Sequence, residues 1–97
     1  MIRSFGDKET EKIWNRQFSS KLPEDIQQAA LNRLLRINLA SNWMDLGAAH
    51  GNGFEKLKDN LVGKVAVRIN DQWRICFHFD HGVATEVSIV EYHRRKR

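Results

Sequence analysis

The stretch Val65-Ala66-Val67-Arg68-Ile69-Asn70-Asp71-Gln72-Trp73-Arg74-Ile75-Cys76-Phe77-His78-Phe79 constrains this chain more than any other segment. Its first arm alternates Val65, Val67, Ile69 and its second alternates Trp73, Ile75, Phe77, Phe79, the pattern of a half-buried antiparallel hairpin. Placing all seven apolar side chains on one face requires an odd-numbered connection, so Asn70-Asp71-Gln72 is read as a three-residue loop. A two-residue turn would set Trp73 opposite Arg68 and turn one arm outward, because a slip of one residue reverses every side chain. In the three-residue register Arg68 and Arg74 face each other on the other surface. Like charges opposed across strands repel, which makes the pair a seat for an anion. A third strand is expected from Val83 to Glu91, ending in Glu91-Tyr92-His93.

Upstream, the periodicity changes to that of helices. Asp7 can cap a helix from about Lys8 to Ser19, with Glu9 and Glu11 in the early turns, where the dipole favours negative charge. Ile13, Trp14 and Phe18 would form its buried stripe. Pro23 followed by Glu24 and Asp25 starts a second helix. Its apolar positions Ile26, Ala30, Leu34 and Ile37, joined by Leu31 and Leu35, repeat at 3.6 residues. Arg33 and Arg36 fall on its outer flank and read as solvated charges. From Ala40 to Asn60 the pattern dissolves into a connector rich in glycine and alanine, with a short strand at Phe54–Leu57 and a turn at Asp59-Asn60. Met1 to Phe5 suits a first edge strand. The expected fold is therefore α+β: two N-terminal helices packed on one face of a twisted antiparallel sheet, with the opposite face open. A single domain over residues 1–97 accounts for the whole length.

Net charge is +4, and it is unevenly spread. Residues 1–63 carry nine Lys and Arg against eight Asp and Glu; residues 64–97 carry seven against four. Clustered positive charge in the hairpin half, and in Arg94-Arg95-Lys96-Arg97, points to a polyanion, nucleic acid before acidic protein. The only cysteine, Cys76, excludes an internal disulfide and a thiolate zinc cluster, and it reads as inert filling on the arginine-bearing face. No pair of histidines has metal-ligand spacing on one helix, so neither a metal nor another cofactor is expected. No apolar run has the length of a membrane span or the form of a secretory leader, which suits a reducing cytoplasmic setting. Trp14, Trp43 and Trp73 read as core.

The residues above resemble the HigB ("plasmid maintenance killer") branch of the RelE/ParE superfamily of toxin–antitoxin toxins. The shared pattern is Ile2-Arg3-Ser4-Phe5 at the start, Leu57-Lys58 before a turn bearing Gly63, and Val67-Arg68-Ile69-Asn70-x-Gln72-Trp73-Arg74-Ile75-x-Phe77. An acidic residue followed by Tyr92-His93 closes it. The resemblance implies a RelE-like fold and a toxin that enters the ribosomal A site and cuts messenger RNA there. It also implies silencing by a helix-turn-helix antitoxin of the HigA type, through which operator DNA would be bound. Two departures stand out. This chain has Glu91-Tyr92-His93 where the family commonly has Asp-Tyr-His, and Glu55 where some members have histidine.

Cutting RNA without a metal needs a base for the 2′-hydroxyl, positive charge for the phosphorane and an acid for the 5′-oxygen. Arg68 and Arg74 suit the charge, since a guanidinium fork matches two phosphate oxygens. His93 suits proton transfer near neutrality, with Glu91 or Glu55 orienting it or replacing it. Tyr92 suits a hydrogen bond or a stack on a base. Lys58 and Lys64 would hold the RNA backbone, and His78 shares a surface with Arg74. Two other activities fit the same residues: a ParE-like DNA gyrase poison, and a degraded toxin that only binds antitoxin and operator DNA.

Overall fold

The computed structural model describes residues 1–56 and 64–92. Among these residues three helices, α1 (Lys8–Trp14), α2 (Glu24–Leu39) and α3 (Trp43–His50), precede a 3₁₀ turn at Gly51–Gly53. Four strands follow: β1 (Phe54–Lys56), β2 (Lys64–Arg68), β3 (Trp73–Asp80) and β4 (Val83–Glu91). They form one antiparallel sheet in the order β1-β2-β3-β4. The α+β expectation is met, with three helices where the sequence pattern suggested two.

The third helix corrects the reading of residues 40–60 as a connector. Asn42 accepts the backbone N–H of Asp45 at 2.9 Å, and Asp45 reaches back to accept that of Ser41 at 2.8 Å. This reciprocal capping starts a helix that composition alone hides. Leu46 is fully buried, and Trp43 packs edge-on against Phe79 with ring centroids 5.3 Å apart.

α1 is shorter than its pattern. Asp7 caps it through Thr10 as expected, but it ends at Trp14, and Arg16 takes a left-handed φ of 61°. The chain then folds back onto α2. Gln27 accepts the Ser19 N–H and donates to the Ser19 and Leu22 carbonyls, while the buried Ser19 hydroxyl donates to Glu9 at 2.5 Å. These bonds satisfy a backbone that helix continuation would have satisfied. Phe18 is consequently 65% exposed and not part of the buried stripe.

The core forms where α2 meets the sheet. Ile26, Ala30, Leu34 and Ile37 are each 3% exposed or less, against Val65, Val67, Ile75, Phe77 and Val87, which are all at 0%. β4 carries a bulge. Cys76 pairs with Ser88 and His78 with Thr85, so two residues of β4 stand opposite Phe77. Glu86, at φ 53°, absorbs the extra residue. The bulge lets Ala84, Val87 and Ile89 all point inward despite their broken alternation.

The expected N-terminal edge strand appears as two isolated parallel bridges, Ile2 to Ala84 and Phe5 to Val87, because the bulge interrupts a continuous ladder. Further along β4, the Ile89 N–H donates to the Thr10 hydroxyl at 2.8 Å, and that hydroxyl donates to Asp7 at 3.1 Å. Thr10 is fully buried, so it ties α1 to the sheet. Thr10→Val keeps the shape and strands the Ile89 donor. We expect a loss of about 1–3 kcal/mol, seen as a lower midpoint in urea unfolding. An unchanged midpoint would show that the bond contributes nothing.

Candidate functional site

The β2–β3 register pairs Arg68 with Arg74, as the three-residue connection requires. Asn70 builds that connection: its side-chain oxygen accepts the N–H groups of Gln72 and Trp73 at 2.8 and 2.9 Å. This is an Asx turn, for which an amide side chain is well suited. The Ile69 N–H closes the hairpin onto the Trp73 carbonyl at 2.9 Å.

Three rows of side chains cross the surface opposite the helices. The middle row runs Glu55, Ala66, Cys76, Ser88; one flank runs Arg68, Arg74, Val90 and the other Lys64, His78, Thr85. Small residues thus form most of the floor between longer cationic side chains. Burial pushes the Cys76 thiol up; Lys64 and Arg74 oppose the shift and Glu55 adds to it. A thiol held protonated is a poor nucleophile, which agrees with an inert role.

The two arginines are held differently. Arg68 forms an ion pair with Asp71 inside the turn, with the Arg68 side chain 50% exposed and that of Asp71 87% exposed. Arg74 donates from Nη1 to the Asn70 carbonyl, and to that of Trp73 at 3.3 Å. Its guanidinium carbon lies 4.4 Å from the centre of the Tyr92 ring, a cation–π contact. Nε and Nη2 of Arg74 donate to no described residue. Tyr92 is 43% exposed, and its backbone N–H donates to the Gln72 carbonyl at 2.5 Å. The turn and the end of β4 therefore fix Tyr92 against Arg74.

Other expected residues lie elsewhere. Glu91 pairs with Trp73, whose side belongs to the core face, so strand alternation sets Glu91 on the opposite side from Arg74 and Tyr92. His78 is four residues along β3 from Arg74, about 13 Å at strand rise, beside Arg3, Asp80 and Thr85. Lys64 forms an ion pair with Glu86 at 3.7 Å, so Glu86 is engaged by a lysine and not by the arginines. Glu55 sits in the middle row on β1, the far side of β2 from Arg74. His93 and Lys58 lie outside the described residues, as do Leu57, the Asp59-Asn60 turn and the Arg94–Arg97 tail.

One group of residues escaped the sequence reading. Arg33 and Arg36, read as solvated, line a cleft of about 560 Å³ together with Arg68, Ala49, Gly53, Ile69 and Asn70. Arg33 Nε donates to the Arg68 carbonyl at 3.0 Å, and Arg36 Nη1 donates to the Ala49 carbonyl at 3.2 Å. The only signal in the sequence was their spacing of three on one helix flank. Nothing there showed what they would face.

Comparison with known proteins accords with this architecture. The model of the HigB-like toxin family, described as RelE-like toxins of the type II toxin–antitoxin system HigB, matches residues 3–93. Toxin HigB-1 of Vibrio cholerae serotype O1 is 34% identical over 85 residues, covering 87% of this chain and 90% of that protein. A chain of the YoeB–YefM complex from Staphylococcus aureus shares the fold, with a TM-score of 0.59 at 22% identity. That match covers 97% of this chain and 99% of the other. Family pattern, relative and fold agree over nearly the full length, and the chain belongs to the HigB-like toxins of type II toxin–antitoxin systems.

Proposed function

We propose that this toxin is a ribosome-dependent endoribonuclease that cleaves messenger RNA in the A site without a metal and so arrests translation. The observation that carries the reading is the Arg74 guanidinium, stacked on Tyr92 and anchored by the turn through one nitrogen. An anchored cation needs little reorganisation to meet charge that develops on a phosphorane. Arg68, directly across the strand pair, supplies a second cation once Asp71 yields its place. Tyr92, with part of its ring exposed, is assigned a stack on a base or donation of its hydroxyl proton. His93, the next residue, is assigned the proton transfer near neutrality. Glu91, turned away from Arg74 by strand alternation, is not a ligand to the phosphate, and the role assigned to it is to orient His93.

The antitoxin belongs, in this proposal, to the helix-turn-helix HigA type, binds operator DNA with the toxin, and keeps it silent in the cytoplasm. One domain over residues 1–97 carries all of these contacts. Lys64 and Glu55 line the approach of the RNA and His78 marks its far end, while Lys58 is assigned a contact to the RNA backbone.

The test is direct. Purified toxin, freed of bound metal by a chelator and then desalted, should create new 5′ ends within the A-site codon when added to ribosomes carrying a defined message. A message that stays intact on ribosomes, while DNA gyrase becomes trapped on DNA, would replace this reading with that of a gyrase poison. Specific contacts favour the nuclease: the Arg74–Tyr92 stack and the small-residue floor form a bed for a polynucleotide strand.

A further inference from the structure

The cleft between α2 and the tip of the β2–β3 hairpin has a composition that ordinary surface does not. Among the described residues that line it, three of seven are arginines, Arg33, Arg36 and Arg68, and none is acidic. A volume of about 560 Å³ lies within the range of ligand-binding clefts, roughly 300–1,000 Å³. Its walls come from distant parts of the chain: the outer flank of α2, the end of α3 at Ala49, Gly53, and the turn residues Ile69 and Asn70.

Neither Arg33 nor Arg36 has a carboxylate partner among the described residues. Each donates to a backbone carbonyl instead, Arg33 to Arg68 and Arg36 to Ala49. A carbonyl orients a guanidinium without neutralising it. Two positive charges are thereby held in place, one half-buried and one exposed, on a wall they share with Arg68. Solvated arginines normally gain entropy by moving freely; these are tethered where their charges add. Gly53 brings its backbone close behind the arginine, since a Cβ there would stand 3.3 Å from that of Arg68.

We propose that this cleft is a second phosphate site, in which Arg33 and Arg36 clamp an RNA phosphodiester next to the one held by Arg68 and Arg74. The inference rests on the nuclease reading and extends it from the reacting linkage to the neighbouring backbone. Arg68 links the two sites, because it lines the cleft while its Cα faces that of Arg74. A strand lying on the open sheet face would leave it over the hairpin tip, past Arg68, and meet α2. The guanidinium fork suits this task because it offers paired donors to two phosphate oxygens. An acidic peptide is the competing occupant. Carboxylates on a flexible peptide have no fixed spacing, whereas the phosphates of a strand seated on Arg74 continue at a regular interval past Arg68 toward Arg33 and Arg36.

The test uses Arg33→Gln with Arg36→Gln, and a second protein with Arg33→Lys and Arg36→Lys. Binding is measured to a fluorescent single-stranded RNA of twelve nucleotides and to ribosomes lacking message, each across a salt series. The glutamine pair should weaken RNA binding by about tenfold or more, and flatten the log–log salt slope by about 0.7 for one lost phosphate contact. The lysine pair should keep the slope and lose only part of the affinity, and it remains readable if the glutamine pair proves less stable. Loss on the dodecamer supports the clamp on the message strand; loss confined to ribosomes puts it on ribosomal RNA and overturns that assignment. Unchanged affinity and slope on both probes overturn the proposal, as does weakened antitoxin binding with RNA binding intact. Wild-type protein with no affinity for either RNA would sink the nuclease reading as well, so the two failures are distinguishable.

Discussion

Arg74→Ala is expected to lower the rate of message cleavage on ribosomes by about 10²–10³-fold, and to abolish growth arrest, while the protein stays folded. The side chain lies on the open sheet face, and its bonds go to carbonyls of the turn and to the Tyr92 ring. Truncation there removes no core contact, so circular dichroism and the unfolding midpoint should barely move. Arg74→Lys makes the sharper comparison. It retains one positive charge but loses the planar fork, and with it the ability to hold the turn carbonyl and a phosphate together. Its rate should fall between those of wild type and the alanine variant. If Arg74→Ala cleaves as fast as wild type in a single-turnover assay, the guanidinium has no part in the chemistry.

Phe77→Ala should have the largest effect on stability, about 3–5 kcal/mol. Phe77 is fully buried, lies edge-on to Phe79 with ring centroids 6.2 Å apart, and stands where two residues of β4 face one of β3. Removing its ring opens a cavity under the bulge, and the bulge is what lets Val87 and Ala84 share the core. Small domains have about 5–15 kcal/mol in hand, so a large fraction would be lost. Urea unfolding followed by tryptophan fluorescence measures this directly. A midpoint within error of wild type would mean that the core does not depend on packing at this position. Loss of toxicity in this variant should track loss of fold, in contrast to Arg74→Ala, and the pair separates structural from chemical effects.

What the sequence disclosed, and what it concealed, follows physical lines. The hairpin was legible because seven apolar residues alternate without interruption, and parity alone then set Arg68 across from Arg74. α2 was legible because Pro23, Glu24 and Asp25 mark its start and four buried positions keep its period. α3 was hidden because its eight residues include a mid-helix glycine and too few large apolar side chains to mark a period; only the pairing of Asn42 with Asp45 announced it. The early end of α1 depends on Gln27, eight residues from Ser19, and no local pattern carries that information. The same holds at the site. Arg74 and Tyr92 come together through strand pairing and are eighteen positions apart, a separation that the meander explained in advance. The arginine cleft joins Arg33 to Arg68 through packing between helix and hairpin tip, for which periodicity has no signature.

The Arg68–Asp71 pair bears on how the surface meets its ligand. A phosphate that reaches Arg68 has to take the place of a carboxylate already there, so docking at that position is an exchange of one anion for another. The hairpin in effect carries its own decoy. On the nuclease reading it would mute the resting toxin's attraction for stray polyanions and ease departure of the severed strand, because the displaced aspartate is three residues away and ready to return.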